Sequence, residues 1–410
     1  MKTHSEIEQS LRLPCGALIR NRLMKSAMSE QLGDKNHNPK PSLETLYRTW
    51  GEGGLGISVT GNIMIDRTAL GEPANVVLDE KSDLAAFKQW SSAGKAGGGA
   101  IWAQLNHPGK QIPSFLAKTP VAPSAISLGA GLAKGFNRPR ALEDGEIHAI
   151  VRRFANAALL AKQCGFDGVQ IHGAHGYLVS QFLSPRHNQR EDFWGGNSDR
   201  RMNFLREIYT QIRIVVGDDY PIGIKLNSAD FMKDGFSEDE SSLVVKELEH
   251  LGIDLIEVSG GTYESPSMMG HKVADRTAKR EAYFLSYAQS LRERVNTPLV
   301  VTGGFRSSAA MRDAISSGAT DMVGLARPLA VVTDMANKVL NDPNYRLKLT
   351  EPTTGKPKID RMVMLGLTWY ETQIHRIAKG KAPNLKLTAW KTVFDTLFAS
   401  GMAAFRQRRA

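Results

Sequence analysis

Two imidazoles and a phenol stand together in one short segment, HGAHGY at 172–177. His172 and His175 could both donate hydrogen bonds to one carbonyl oxygen and polarise it, and Tyr177 could give up a proton. Two other readings stay open: histidines satisfied in a core, or a pair of metal ligands. A catalytic zinc site needs a third protein ligand, and no HExxH accompanies this pair. Lys225 falls inside the apolar run PIGIKLN (221–227). A charge there needs a partner, either a carboxylate or an electron-accepting ring whose negative charge the ammonium would stabilise. TGGFRSS (302–308) and GLARP (324–328) combine glycines with arginine. Glycine lets backbone N–H groups approach an anion closely, and Arg327 can fork onto a phosphate. Two tight turns with a structural arginine would read the same. Gln104, in AQLNHPG, carries an amide that both donates and accepts, which suits a pyrimidine-like edge.

The elements that must position these groups alternate. Short apolar runs occur at 22–28, 56–65, 99–105, 167–173, 221–227, 254–260, 298–304 and 321–326. Near-continuous runs of this kind read as parallel strands buried on both faces. Between them lie helical patterns. Ile147, Ile150, Val151, Phe154, Ala158 and Ala161 recur at helical spacing. SEDESSLVVKELEHLG (237–252) offers Ser237 as N-cap, acids in its first turn and Gly252 just past its end. Eight such units predict an α/β fold, a (β/α)8 TIM barrel over residues 1–335. An open doubly wound sheet is the competing architecture, but no early GxGxxG supports it. In such barrels the chemistry sits at the C-terminal strand ends, with phosphate after strands seven and eight. All the groups singled out above fall there.

Residues 336–410 form a mostly helical C-terminal extension. KLTEPTTGKPKI (348–359) is polar and reads as a linker or surface arm. A last helix is expected from 389 to 407, capped by Thr388, with Trp390, Val393, Phe394, Leu397, Phe398, Met402 and Phe405 on one face. That stripe should pack on the barrel or on a partner subunit, because left in water it would be an unusual patch.

Bulk properties exclude several classes. The 410 residues hold only Cys15 and Cys164, too few for a disulfide framework or an iron–sulfur cluster. No run approaches the ~18 apolar residues of a membrane span, and the N-terminus lacks a signal-peptide core, so a cytoplasmic protein is expected. The net charge of +10 is spread along the chain with no nucleic-acid motif. A basic surface suits phosphate-bearing ligands and proves nothing more.

From about residue 12 to 330 the chain resembles the Old Yellow Enzyme family of NAD(P)H:flavin oxidoreductases. The likeness rests on NRLMKSAMSE (21–30), GGLGISVTGNIM (53–64), AQLNHPGK (103–110), GFDGVQIHGAHGYLVSQFLSPRHNQRED (165–192), FWGG (193–196), IKLNSADF (224–231), VTGGF (301–305) and GLARP (324–328). The resemblance implies FMN on the barrel mouth, with NADPH or NADH as hydride donor. Ala27, Met28, Gly61 and Gln104 would flank the flavin ring, and Lys225 would lie near its N1–C2 edge. Gly303, Gly304, Ala326 and Arg327 would hold the phosphate. His172 and His175 would bind the oxygen of an enone, enal or nitroalkene, and Tyr177 would protonate it; no metal is expected. Ser29 and Gln31 stand where some bacterial members carry a flavin-modulating Cys and an extra Tyr, so those features do not transfer. A flavin-dependent amine or alcohol dehydrogenase, or a metal-dependent lyase or isomerase on the same barrel, remain the alternatives. The partner would be a small-molecule substrate, with a homo-oligomer possible in principle and no nucleic acid. The loop GTYESPSMMGHKV (261–273) is expected to shape the pocket.

Overall fold

A computed structural model describes residues 6–400 apart from 130, 133, 263, 265–283 and 350. Eight parallel strands close on themselves: β1 Leu23–Lys25, β2 Ile57–Met64, β3 Ala100–Asn106, β4 Gly168–Gly173, β5 Ile222–Asn227, β6 Leu255–Ser259, β7 Leu299–Thr302 and β8 Met322–Leu325. β1 pairs with both β8 and β2, which completes the barrel. Each strand coincides with the apolar run that predicted it to within three residues at either end. Helices α1 Pro41–Glu52, α2 Leu84–Gly94, α3 Asp144–Gln163, α4 Asn203–Val216, α5 Glu238–Leu251, α6 Leu285–Arg292, α7 Ser308–Ser316 and α8 Met335–Asn341 surround it. α5 has the expected ends: Ser237 Oγ accepts from the N–H of Glu240, and Gly252 takes a left-handed φ of 88°.

The core has two shells. Between strands and helices runs one large cluster that includes Trp50, Trp90, Phe154 and Ile208. The other holds Met24, Ile57, Val59, Trp102, Leu255, Val300 and Met322 together with Leu11, Leu13 and Ile19. The last three come from an N-terminal hairpin, Leu11–Arg12 against Leu18–Ile19, which the apolar patterning did not reveal. Trp102 is accommodated by glycines on both sides. A Cβ at Gly168 would lie 2.6 Å from its ring, and one at Gly223 2.8 Å.

The extension differs from expectation in three places. A helix begins at Pro357, inside the segment read as a linker. A further helix, α9 Leu365–Ile377, buries Leu365, Trp369, Tyr370, Ile374 and Ile377. Its apolar spacing was readable but passed unnoticed. The last helix, α10 Ala389–Ser400, starts where expected, with Thr388 Oγ1 accepting from the N–H of Lys391 at 3.3 Å. Its expected single face splits. Ala389 and Val393 are buried, whereas Trp390 and Phe394 are 42% and 65% exposed and face each other. The split follows from a stripe too wide for one neighbour: α9 covers one edge of it and leaves the other bare. Residues 401–410 and most of the 261–273 loop lie outside the described residues.

Gly168→Ala should lower the thermal unfolding midpoint, because the added methyl meets the Trp102 ring and overpacking of this kind costs about 1–3 kcal/mol. An unchanged midpoint in differential scanning calorimetry would show that the ring can move aside.

Candidate active site

The site is built on a buried polar layer below the barrel mouth. Glu257 of β6 has no exposure. Lys225 Nζ lies 3.1 Å from Glu257 Oε1. Thr302 Oγ1 donates to the same carboxylate at 2.8 Å, and Gln170 Nε2 does so at 2.9 Å. Gln104 Nε2 donates to Gln170 Oε1 at 2.7 Å, and the hydroxyls of Ser26 and Thr302 are 2.8 Å apart. Burial works to raise the Glu257 carboxyl, but Lys225 and the Thr302 and Gln170 hydrogen bonds outweigh it and hold the group below its usual range. Lys225 therefore does have the carboxylate partner that one of its readings required.

Above this layer stand the histidines. Strand pairing sets Lys225 beside His172. His172 Nδ1 is 3.0 Å from Asn62 Oδ1, and its Nε2 faces His175 Nδ1 at 3.2 Å. His175 Nε2 in turn lies 2.9 Å from Ser259 Oγ. Burial first, then Lys225, pushes His175 down to about 3; burial, His175 and Lys225 push His172 well below its ordinary value. Both rings are neutral at pH 7. His175 takes a left-handed φ of 61°, a conformation that costs a side-chain-bearing residue ~1–3 kcal/mol and persists only when its surroundings fix it. Asn227 Oδ1 accepts from its N–H at 3.2 Å, and Gln111 Nε2 donates to its carbonyl at 3.0 Å. The Tyr177 ring is buried, 4.7 Å from the His172 ring.

The other expected residues ring the mouth. Ala27 and Met28 follow β1 and are half-buried. The β2–β3 ladder slips between Val59 and Asn62. The slip frees the N–H of Gly61, which donates to Glu30 Oε1 and Tyr47 Oη, each at 3.1 Å. A Cβ at Gly61 would strike Glu30 and the Met28 carbonyl, so packing alone already demands glycine there. Gly303 and Gly304 have φ of 122° and 89°, and among the described residues their N–H groups meet no acceptor. Ala326 and Arg327 follow on the neighbouring strand, half-exposed. The Arg327 guanidinium is 3.6 Å from Glu351 of the extension and stacks over Tyr370. Unmatched N–H groups on left-handed glycines beside a reachable guanidinium fit a phosphate.

Sequence reasoning missed the groups that hold these in place. Glu257 interrupts DLIEVSG as Lys225 interrupts its own strand, a signal that was available. Gln170 stands two before His172 on the same strand face. A third network, Lys110–His187–Glu264, joins the loops after β3, β4 and β6: Lys110 Nζ is 2.9 Å from His187 Nδ1, and His187 Nε2 is 3.3 Å from Glu264. Its members are far apart in sequence, so spacing could not reveal it. Among the described residues no cluster of three or more His, Cys, Asp or Glu could hold a metal ion.

Comparison with known proteins shows the family. The profile of the NADH:flavin oxidoreductase / NADH oxidase family matches residues 15–344. The chain is 36% identical to the NADH-dependent flavin oxidoreductase iliE of Hypocrea jecorina (strain QM6a), over 87% of this chain and 93% of that protein. It is 33% identical to iccE, of the same description, from Talaromyces variabilis, over 91% of this chain and 98% of that protein. Among solved structures, a 2-naphthoyl-CoA reductase superposes with a TM-score of 0.77 at 27% identity, over 82% of this chain; the match spans only 52% of that longer chain. An old yellow enzyme homologue from Zymomonas mobilis superposes with a TM-score of 0.69 at 22% identity, over 83% of this chain and 94% of that one, a likeness of fold.

The lowered histidines set a pH dependence of stability. Below pH 6.5 an unfolded chain binds a proton on His175 that the folded chain refuses until about pH 3. Stability contributed by the neutral ring is therefore whole above pH 6.5 and is lost as pH falls through that window. His175→Gln should reduce by about one the number of protons taken up on unfolding at pH 5. Urea midpoints measured from pH 7 to pH 4 check this, and an unchanged pH slope would contradict it.

Proposed function

As a member of the NADH:flavin oxidoreductase / NADH oxidase family, the family of the Old Yellow Enzymes, the chain is an FMN- and NAD(P)H-dependent oxidoreductase, and we propose that it reduces the activated carbon–carbon double bond of α,β-unsaturated carbonyl or nitro compounds. The observation that carries this reading is the pair of neutral imidazoles whose nitrogens face each other at 3.2 Å, with the Tyr177 ring beside them.

FMN, when bound, supplies hydride transfer between NAD(P)H and the substrate. The residues that would hold it are Ala27 and Met28 against the ring, Gly61, Gln104 and Lys225 along its polar edge, and Gly303, Gly304, Ala326 and Arg327 at the phosphate. A substrate oxygen entering between the histidines replaces their mutual hydrogen bond. With Asn62 Oδ1 accepting from His172 Nδ1–H, His172 Nε2 is an acceptor and His175 Nδ1–H is the donor that faces it. His172 donates from Nε2 once Asn62 turns its amide N–H toward Nδ1, a change of tautomer that needs no net charge. Two donors in a site shielded from water draw electron density to the oxygen and leave the β-carbon electron-poor. Tyr177 supplies a proton to the α-carbon. The substrate is a small molecule. Exposed Trp390 and Phe394 favour burial of this face by a second copy, which makes a homo-oligomer part of the same proposal.

Tyr177→Phe should leave FMN content and reduction by NAD(P)H nearly intact. It should slow the enone half-reaction by roughly 10²–10⁴-fold. Anaerobic single-turnover rates for both half-reactions make the comparison, with 2-cyclohexenone as oxidant. Equal slowing of both would remove the proton-donor role, and no enone reduction by the unaltered protein would remove the reading itself. Arg327→Ala should weaken FMN retention by about 10- to 100-fold, the equivalent of one charge-assisted contact. Fluorescence titration of the apoprotein with FMN measures it, and unchanged affinity would place the phosphate elsewhere.

A further inference from the structure

A cleft of about 520 Å³ lies between the barrel and its extension. The barrel wall belongs to the loops after β1, β2 and β3, through Gln31, Glu72 and Pro113. The third of these loops also reaches the histidine site. Gln31 shares the first with Met28, Glu72 accepts a hydrogen bond from Ser29 in that same loop, and Pro113 shares the third with Gln111, whose amide holds the His175 carbonyl. The opposite wall is α9 with the turns on either side of it.

The cleft is apolar at one end and cationic at the other. Phe115, Met362 and Leu367 line it and are 49%, 43% and 36% exposed. Large apolar side chains gathered in one concavity mark a binding surface more than a solvated one. Arg376, Lys379 and Lys381 line the far end. A cation in the last turn of a helix, as Arg376 is, offsets its dipole, but that does not explain why Lys379 and Lys381 line the same cleft. The carboxylates of the cleft are already engaged: Glu72 accepts from Asn75 and Ser29, Glu371 from Gln31, and Asp395 pairs with Lys391. Among the described residues no carboxylate comes within ion-pair distance of Arg376, Lys379 or Lys381. Among the described residues the uncompensated charge of the cleft is positive.

We propose that this cleft is a distal substrate subsite: it takes the unreactive, apolar body of the substrate and a carboxylate at its far end. The body lies along Phe115, Met362 and Leu367, and the carboxylate meets Lys379, Lys381 and Arg376. The word substrate rests on the ene-reductase reading; the binding of an amphiphilic carboxylate does not.

Calorimetry on the FMN-loaded protein with octanoate and with octanamide reads the subsite without turnover. Octanoate should bind more tightly than the neutral amide by about tenfold. The double reversal K379E/K381E should abolish that preference while octanamide still binds, and Leu367→Asp should weaken both ligands. Equal binding of the two ligands to the unaltered protein, or a preference that survives the reversal, overturns the subsite. Turnover then tests its connection to the chemistry. A 3-alkylcyclohexenone with a terminal carboxylate should show a lower KM than its methyl ester, and the reversal should erase the difference. Equal KM values, with selective octanoate binding intact, overturn the substrate assignment. A protein that prefers octanoate yet reduces no enone, 2-cyclohexenone included, retains the binding site and refutes the ene-reductase reading.

Discussion

A carboxylate in the centre of a barrel, out of reach of water, must be neutralised and hydrogen-bonded where it stands. Glu257 meets this requirement with Lys225, Thr302 and Gln170, and the partners recruit Gln104 and Ser26. One buried charge thus organises side chains from β6, β5, β4, β3 and β7, and Ser26 just past β1, into a single layer. Removing one member of a buried ion pair typically costs 3–5 kcal/mol, because the survivor is left charged and alone. Everything at the mouth stands on this layer. Lys225 cannot swing away, His172 is set beside it by strand pairing, and His175 is set over Asn227 and Ser259 by a left-handed turn that its neighbours enforce.

The electrostatics of the mouth follow. A fixed ammonium beneath two desolvated imidazoles opposes their protonation, so the rings act as neutral donors. Neutral donors can strengthen their hold on an oxygen as charge develops there. On the proposed reading the same ammonium would offer positive charge to the polar edge of a bound flavin. At the other side, the N–H groups of Gly303 and Gly304 and the Arg327 guanidinium would hold the phosphate on the same reading.

Much of this was legible in the sequence, for physical reasons. Strands buried on both faces are written as apolar runs, so the barrel could be read strand by strand, and a charge or an imidazole at the end of such a run stands out. The expected site residues lie on the barrel strands or just past their C-terminal ends, with Lys225 and Gln104 in the buried layer below the mouth and Gly61 within β2. What stayed hidden was held by partners distant in sequence. The Lys110–His187–Glu264 network joins three loops, and the slip in β2 that presents Gly61 depends on Glu30 and Tyr47. The hairpin at Leu11–Ile19 is too short to show a period. The stripe on α10 was visible, but which half of it would be covered depended on how α9 packs against it, a tertiary contact that the spacing within α10 does not encode.

The central claim is that Glu257 and Lys225 together set the charge presented to the flavin. Potentiometric titration of the bound FMN tests it directly, in the unaltered protein, in Lys225→Met and in the near-isosteric Glu257→Gln. Loss of the ammonium should make the flavin harder to reduce and lower its midpoint potential; loss of the carboxylate should raise it. Potentials that do not move, or that move in the same direction in both variants, would contradict the account.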